Sequence, residues 1–185
     1  MFERYTEGAR RIVFFARHEA SQAGSPLIET EHLLLGVQRQ ARRLITSLFG
    51  REVADNLRNE IEERAGPPII VSAAVDLPLS NSCNRVFAYA AEEAERAGEK
   101  NIDEIHILLG LVREEHGVAA EIFHAHDVTM EFAREALKAV PGKFQFYCPR
   151  CVRGVASPLT CGKCSATICR VCGTPLESSN RAALG

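Results

Sequence analysis

No run of about 18 apolar residues occurs in this 185-residue chain, so no segment is long enough to cross a bilayer as a helix. The start, Met1-Phe2-Glu3-Arg4, lacks the charged-then-apolar layout of a secretion signal. The expected setting is the cytoplasm, where disulfide frameworks are uncommon. No G-x-x-x-x-G-K-[ST] phosphate loop is present, and no Ser/His/Asp or Cys/His arrangement stands out. The chain is therefore expected not to be an enzyme and to have neither ATPase nor peptidase activity. Cysteine is absent from the first 82 residues, and Cys83 then stands alone until Cys148. Acidic residues are scarce at the other end: from Lys143 onward six basic residues face only Glu177, about +5 against −7 for the remainder. A basic tail on an acidic body permits nucleic-acid binding without demanding it.

What the chain does contain is one segment written twice, 74 residues apart. Residues 11–24 read RIVFFARHEASQAG and residues 85–98 read RVFAYAAEEAERAG. His32-Leu33-Leu34-Leu35-Gly36 recurs as His106-Ile107-Leu108-Leu109-Gly110, Ile28 as Ile102 and Phe49 as Phe123. A register held over about forty residues implies a duplicated unit whose copies pack as a pseudo-symmetric pair. Beyond the two phenylalanines the register slips.

Each copy reads as four helices. Tyr5, Ala9, Ile12, Val13, Ala16, Ala20 and Ala23 recur every three or four residues, and Gly24 ends the stripe. Cys83, Val86, Phe87, Ala90, Ala94 and Ala97 repeat the pattern up to Gly98. Cys83 fits as a small buried hydrophobe. Thr30 and Glu31 form a helix start, a hydroxyl cap followed by a carboxylate at the positive end of the dipole; Asp103-Glu104 do so in the second copy. Helices are expected near 41–49, 51–64, 118–124 and 129–139, with an extended connector through Gly66-Pro67-Pro68. His32 and His106 read as structural histidines, and His124 and His126, two apart, make poor co-ligands. The expected architecture is all-α, an eight-helix body over residues 1–140 with copies at about 1–66 and 76–140.

This body resembles the N-terminal (Clp repeat) domain of Clp-family unfoldases, most closely the ClpC type. Phe2-Glu3-Arg4-Tyr5-Thr6-Glu7, Thr30 to Gly36, His106 to Glu114 and Gly117-Val118-Ala119-Ala120 carry the likeness. The resemblance implies a docking domain for substrates and adaptor proteins, here without an ATPase ring. It also implies a phosphoarginine site, with Glu31 gripping the guanidinium and Thr6 and Thr30 nearby. In the second copy Ile105 replaces the carboxylate and Ser80 matches Thr6, so at most one such site is expected. The plain alternative is that Thr30-Glu31 is only a good helix start.

The cysteines cluster after Pro141-Gly142. Cys148-x-x-Cys151, Cys161-x-x-Cys164 and Cys169-x-x-Cys172 lie within 25 residues. Such pairs form thiolate knuckles, and soft thiolates at tetrahedral spacing select zinc. Residues 144–177 are expected to be a zinc-binding β-ribbon or finger and 178–185 a disordered tail. Resemblance to zinc ribbons and to B-box fingers selects Cys148, Cys151, Cys169 and Cys172 for one ion. Cys161 and Cys164 remain as alternates, free thiols or a redox pair. The leading expectation is a non-enzymatic protein-binding module partnering an unfoldase, a protease or substrate proteins. The alternatives are a nucleic-acid-associated regulator using the basic finger and a thiol–disulfide protein using Cys161 and Cys164.

Overall fold

The computed structural model describes residues 3–65, 77–138, 146–148, 150, 153–155, 159–160, 166–169 and 171–178. The chain divides into two units, Met1–Val140 and Pro141–Gly185.

In the first unit α1 (Glu7–Gln22) begins where the Thr6 hydroxyl accepts the Ala9 N–H. Its buried residues Ala9, Ile12, Ala16 and Ala20 follow the helical period. α3 (Asn81–Arg96) repeats this, with Ser80 accepting the Cys83 N–H and Cys83 fully buried. Both helices end alike: Gly24 and Gly98 take φ +66° and +70°, and the next amide donates back to Ala20 or Ala94.

The second element of the first copy, α2 (Thr30–Ala65), loses helical dihedrals at Ala41 (φ −139°, ψ 49°) and Gly50 (φ 77°, ψ 173°). It therefore comprises stretches 30–40, 42–49 and 51–65. The second copy spells out the same parts as α4 (Glu104–Arg113), α5 (Val118–Ala125) and α6 (Met130–Lys138). The expectation of eight separate helices thus needs one correction. Among the described residues there are six helical elements, because the breaks in the first copy are single residues with no connecting loop.

Gly36 and Gly110 set how closely the helices pack. A Cβ on Gly36 would lie 2.6 Å from the Ile12 carbonyl oxygen, and one on Gly110 would lie 2.4 Å from that of Val86. Only a residue without a side chain lets α1 lie on α2, and α3 on α4, at this distance.

The copies are joined crosswise. Thr6 N–H donates to Ile102 O and Ile102 N–H to Arg4 O, while Ser80 N–H donates to Ile28 O and Ile28 N–H to Pro78 O. The residue run before each first helix thus pairs with the run before the other copy's second helix. Phe49 and Phe123 stack on each other at 5.4 Å; contact between equivalent residues marks the pseudo-twofold axis. Buried Glu19 binds Arg58 at 2.9 Å, and buried Glu93 binds Arg134 at 2.8 Å. These bridges tie the first helix of each copy to its last.

In the second unit, β1 (Phe146–Cys148) is flanked by β2 (Arg153–Val155) and β5 (Glu177–Ser178), both antiparallel, while β3 (Leu159–Thr160) pairs with β4 (Thr167–Ile168). Ser178, assigned from sequence to the disordered tail, closes β5; the rest of that tail lies outside the described residues.

Candidate functional site

Thr30 and Glu31 open α2, and the structure brings the second copy against them. Thr30 is buried, and its Oγ1 lies 2.5 Å from where a Cβ on Gly117 would stand. Gly117 is the N-cap of α5 at φ 96°, ψ 172°, and it offers no side-chain cap to the first-turn amides. The helix start of one copy therefore faces an uncapped helix N-terminus of the other.

Glu31 is half-buried. Burial holds its carboxyl above the ordinary carboxylate range, and Glu29 and Glu121 push the same way. Its own amide and the Thr30 hydroxyl, 3.5 Å away, oppose that rise. Among the described residues no cation pairs with it. A partly desolvated carboxylate without a counter-ion gains from a guanidinium or ammonium ligand, and free amides at a helix start gain from an anion.

Thr6 does not join this pair. Its hydroxyl caps α1, its amide is bound to Ile102, and Gly8 lies under the Glu104 carboxylate, where a Cβ would meet Oε1 at 1.8 Å. Thr6 thus belongs beside the start of the second copy's α4. On the Thr30-Glu31 side the equivalent cap is Ser80, whose amide is bound to Ile28. The sequence pattern groups these residues by copy, whereas the crosswise bridges exchange them. Gly117 carries part of the family likeness, but nothing in its spacing tells that it meets Thr30.

The loop carrying Gly117 is held by buried Glu114. Its carboxylate accepts from Arg85 Nε and Nη2 at 2.9 and 2.6 Å and from the His116 amide at 3.2 Å. The hydrogen bond from Arg85 depresses the Glu114 pKa, against the opposing effect of burial. The two repeat histidines are structural: His32 Nδ1 accepts the Glu29 N–H at 3.0 Å and His106 Nδ1 that of Asp103 at 3.1 Å. Glu99, Asp103 and His106 come close enough to suggest a metal group. However, Asp103 Oδ1 is already taken by the amides of Ile105 and His106, at 3.0 and 3.2 Å.

Of the cysteines expected to bind metal, Cys148 ends β1, Cys169 is buried and Cys172 is partly buried. Cys151 and the alternates Cys161 and Cys164 lie outside the described residues. Cys169 and Cys172 sit on one turn, in which Gly173 N–H donates to Cys169 O at 2.8 Å and Gly173 takes φ +70°. This donor set fits a thiolate-binding ion.

Residues 4–126 and 79–145 match the family model described as the Clp repeat (R) N-terminal domain. The chain is 33% identical over 128 residues to chaperone protein ClpC1, chloroplastic, of Oryza sativa subsp. japonica, covering 68% of this chain and 14% of that protein. It is 32% identical over 146 residues to chaperone protein ClpB of Oceanobacillus iheyensis, covering 77% and 18%. The chain thus spans less than a fifth of these relatives. Its structure matches the N-terminal domain of the caseinolytic protease associated chaperone ClpD from Arabidopsis thaliana, with TM-score 0.60 and 28% identity over 77% of this chain and 97% of that one. The Hsp104 N-terminal domain from Candida albicans shares the fold, with TM-score 0.57 at 18% identity.

Proposed function

Because the chain belongs to the Clp repeat N-terminal domain family, we propose that it is a non-enzymatic protein-docking module of Clp-type proteostasis, acting as adaptor, regulator or substrate receptor. Its ligand on this reading is a phosphorylated arginine side chain of a client protein, taken at the junction of Thr30-Glu31 with α5. The observation that carries this is the half-buried Glu31 carboxylate, with no cation among the described residues, beside the uncapped start of α5. A phosphoarginine needs both a counter-ion for its guanidinium and an anion site for its phosphate. The first copy's carboxylate and the second copy's amides supply both. At the reciprocal junction Ile105 supplies no charge.

Calorimetric titration of the full chain with free phosphoarginine tests the site. At most one ligand per chain is expected, weakened at least about tenfold by Glu31→Ala, or about 1.4 kcal/mol. Ile105→Ala should leave binding nearly unchanged. Two equal sites, or binding indifferent to Glu31, would remove the basis for this ligand. Co-purification of the tagged chain with Clp unfoldase or protease subunits tests the docking role, and recovery of none of them would count against it.

A further inference from the structure

We propose that the outer face of α1 is a docking surface of its own, which takes a short acidic segment of a partner protein with one apolar side chain seated on Phe14. The surface uses no residue of the Thr30-Glu31 junction, so the two readings stand or fall separately.

Phe14 is 65% exposed, the most exposed large apolar side chain among the described residues of the first unit. Single exposed apolar residues are common and by themselves mean little. What surrounds this one is specific. On a helix the neighbours of a side chain lie three and four residues away. For Phe14 these are Arg10, Arg11, Arg17 and His18, and all four are exposed. Arg11 reaches Glu7 at 3.3 Å, an exposed pair that water screens. Glu7 is the one acidic residue exposed on this helix, because Glu19 is buried.

The ring is also held in place. Phe14 meets Phe15 edge-on, with centroids 5.7 Å apart and planes at 65°. The Arg39 guanidinium lies over Phe15 at 4.5 Å and reaches Glu19 at 3.6 Å. An anchor ordered before its partner arrives loses less freedom on binding.

The second copy shows which of these features belong to the fold. At the 74-residue offset Tyr89 stands for Phe15 and Arg113 for Arg39, and that guanidinium lies over that ring at 4.3 Å. The supporting stack is therefore common to both copies. What it supports is not. Phe14 is matched by Ala88, Arg10 by Asn84, Arg17 by Ala91 and His18 by Glu92, whose carboxylate accepts from Arg113. One repeat packs without the exposed ring and without its basic border, so packing requires neither.

Charge selects the partner. The residues before Lys143 carry about −7, so this face is a local positive patch on an acidic body. Three guanidiniums and an imidazole along about 12 Å of helix match the carboxylates of a short segment. Proteins that hold nucleic acid by its backbone make about six to ten phosphate contacts, more than this face offers. A long polyanion leaving the patch also meets the acidic remainder of the body.

The probe is a fluorescein-labelled peptide of glutamates around a central leucine, titrated with the full chain by fluorescence anisotropy at low salt. Binding is expected, and added salt should weaken it. Phe14→Ala/His18→Glu writes the second copy's residues into exposed positions. It should weaken binding at least about tenfold while leaving the circular dichroism spectrum unchanged. Arg10→Ala/Arg17→Ala should do the same. Peptides with glutamine for glutamate, or serine for leucine, should each bind at least about tenfold more weakly. Binding that persists in the Phe14→Ala/His18→Glu variant lies elsewhere, the basic C-terminal segment included, and would overturn the assignment. So would no binding of the acidic peptide, equal binding of the glutamine peptide, or tighter binding of a single- or double-stranded oligonucleotide that the same variant abolishes.

Discussion

Gly117→Ala perturbs the junction of the two copies at a single atom. Gly117 has φ 96° and ψ 172°, a region populated almost solely by glycine, and placing alanine there costs about 1–3 kcal/mol. The added methyl would also lie 2.5 Å from Thr30 Oγ1. Thr30 is only 1% exposed, so relieving that contact displaces a packed side chain, at about 1–3 kcal/mol more. Gly50 separates the two effects. Its dihedrals, φ 77° and ψ 173°, are close to those of Gly117, yet nothing lies within 4 Å of where its Cβ would be. Gly50→Ala should therefore show the backbone cost alone, and Gly117→Ala should exceed it by about 1–3 kcal/mol. The measurement is urea unfolding followed by far-ultraviolet circular dichroism, with slopes compared to confirm that only the midpoint moves. In a double-mutant cycle, Thr30→Ala should recover most of the excess in the Gly117→Ala background. If Gly117→Ala costs no more than Gly50→Ala, or Thr30→Ala recovers nothing, the contact between the first copy's helix start and the second copy's loop is not as described.

Gly36→Ala and Gly110→Ala should each cost about 1–3 kcal/mol in the same assay, because the new methyl meets a backbone carbonyl that cannot rotate away; a neutral result at both would mean that the helices are further apart. His32 should make the body acid-sensitive. Burial lowers its pKa from 6.5 to about 4, with Glu19 opposing. The folded state therefore binds fewer protons than the unfolded state between these values. His32 contributes its full stabilisation above pH 6.5 and loses it as pH falls toward 4, about 3 kcal/mol at about 1.4 kcal/mol per pH unit. Unfolding midpoints measured across that window should lose this component of their slope in His32→Gln, and an unchanged slope would refute the assignment.

The 74-residue repeat was legible because duplication preserves the apolar period and the glycines that helix approach requires. Ala9, Ile12, Ala16 and Gly36 could be placed in a helical core before any coordinates, and so could their counterparts Cys83, Val86, Ala90 and Gly110. The slip in register after Phe49 and Phe123 was legible too, but not its outcome. Glu19 and Glu93 are 74 residues apart, whereas their partners Arg58 and Arg134 are 76 apart. The same bridge survives because it depends on where a guanidinium arrives in space, not on its offset along the chain.

Local sequence determined what each helix start contains: Thr6 and Ser80 as caps, Thr30-Glu31 and Asp103-Glu104 as openings. Caps act within a few residues of themselves, so their chemistry is written where it is used. Which cap meets which opening was decided by the tertiary structure alone. The backbone bridges from Ile102 to Arg4 and Thr6, and from Ile28 to Pro78 and Ser80, carry Thr6 to the start of α4, while the packing of the copies sets Gly117 against Thr30. Two copies of one unit offer similar local signals for pairing within a copy or across the pair. Only packing around the pseudo-twofold axis at Phe49 and Phe123 selects the crossed arrangement, and with it the junction where the Glu31 carboxylate, with no cation among the described residues, faces an uncapped helix.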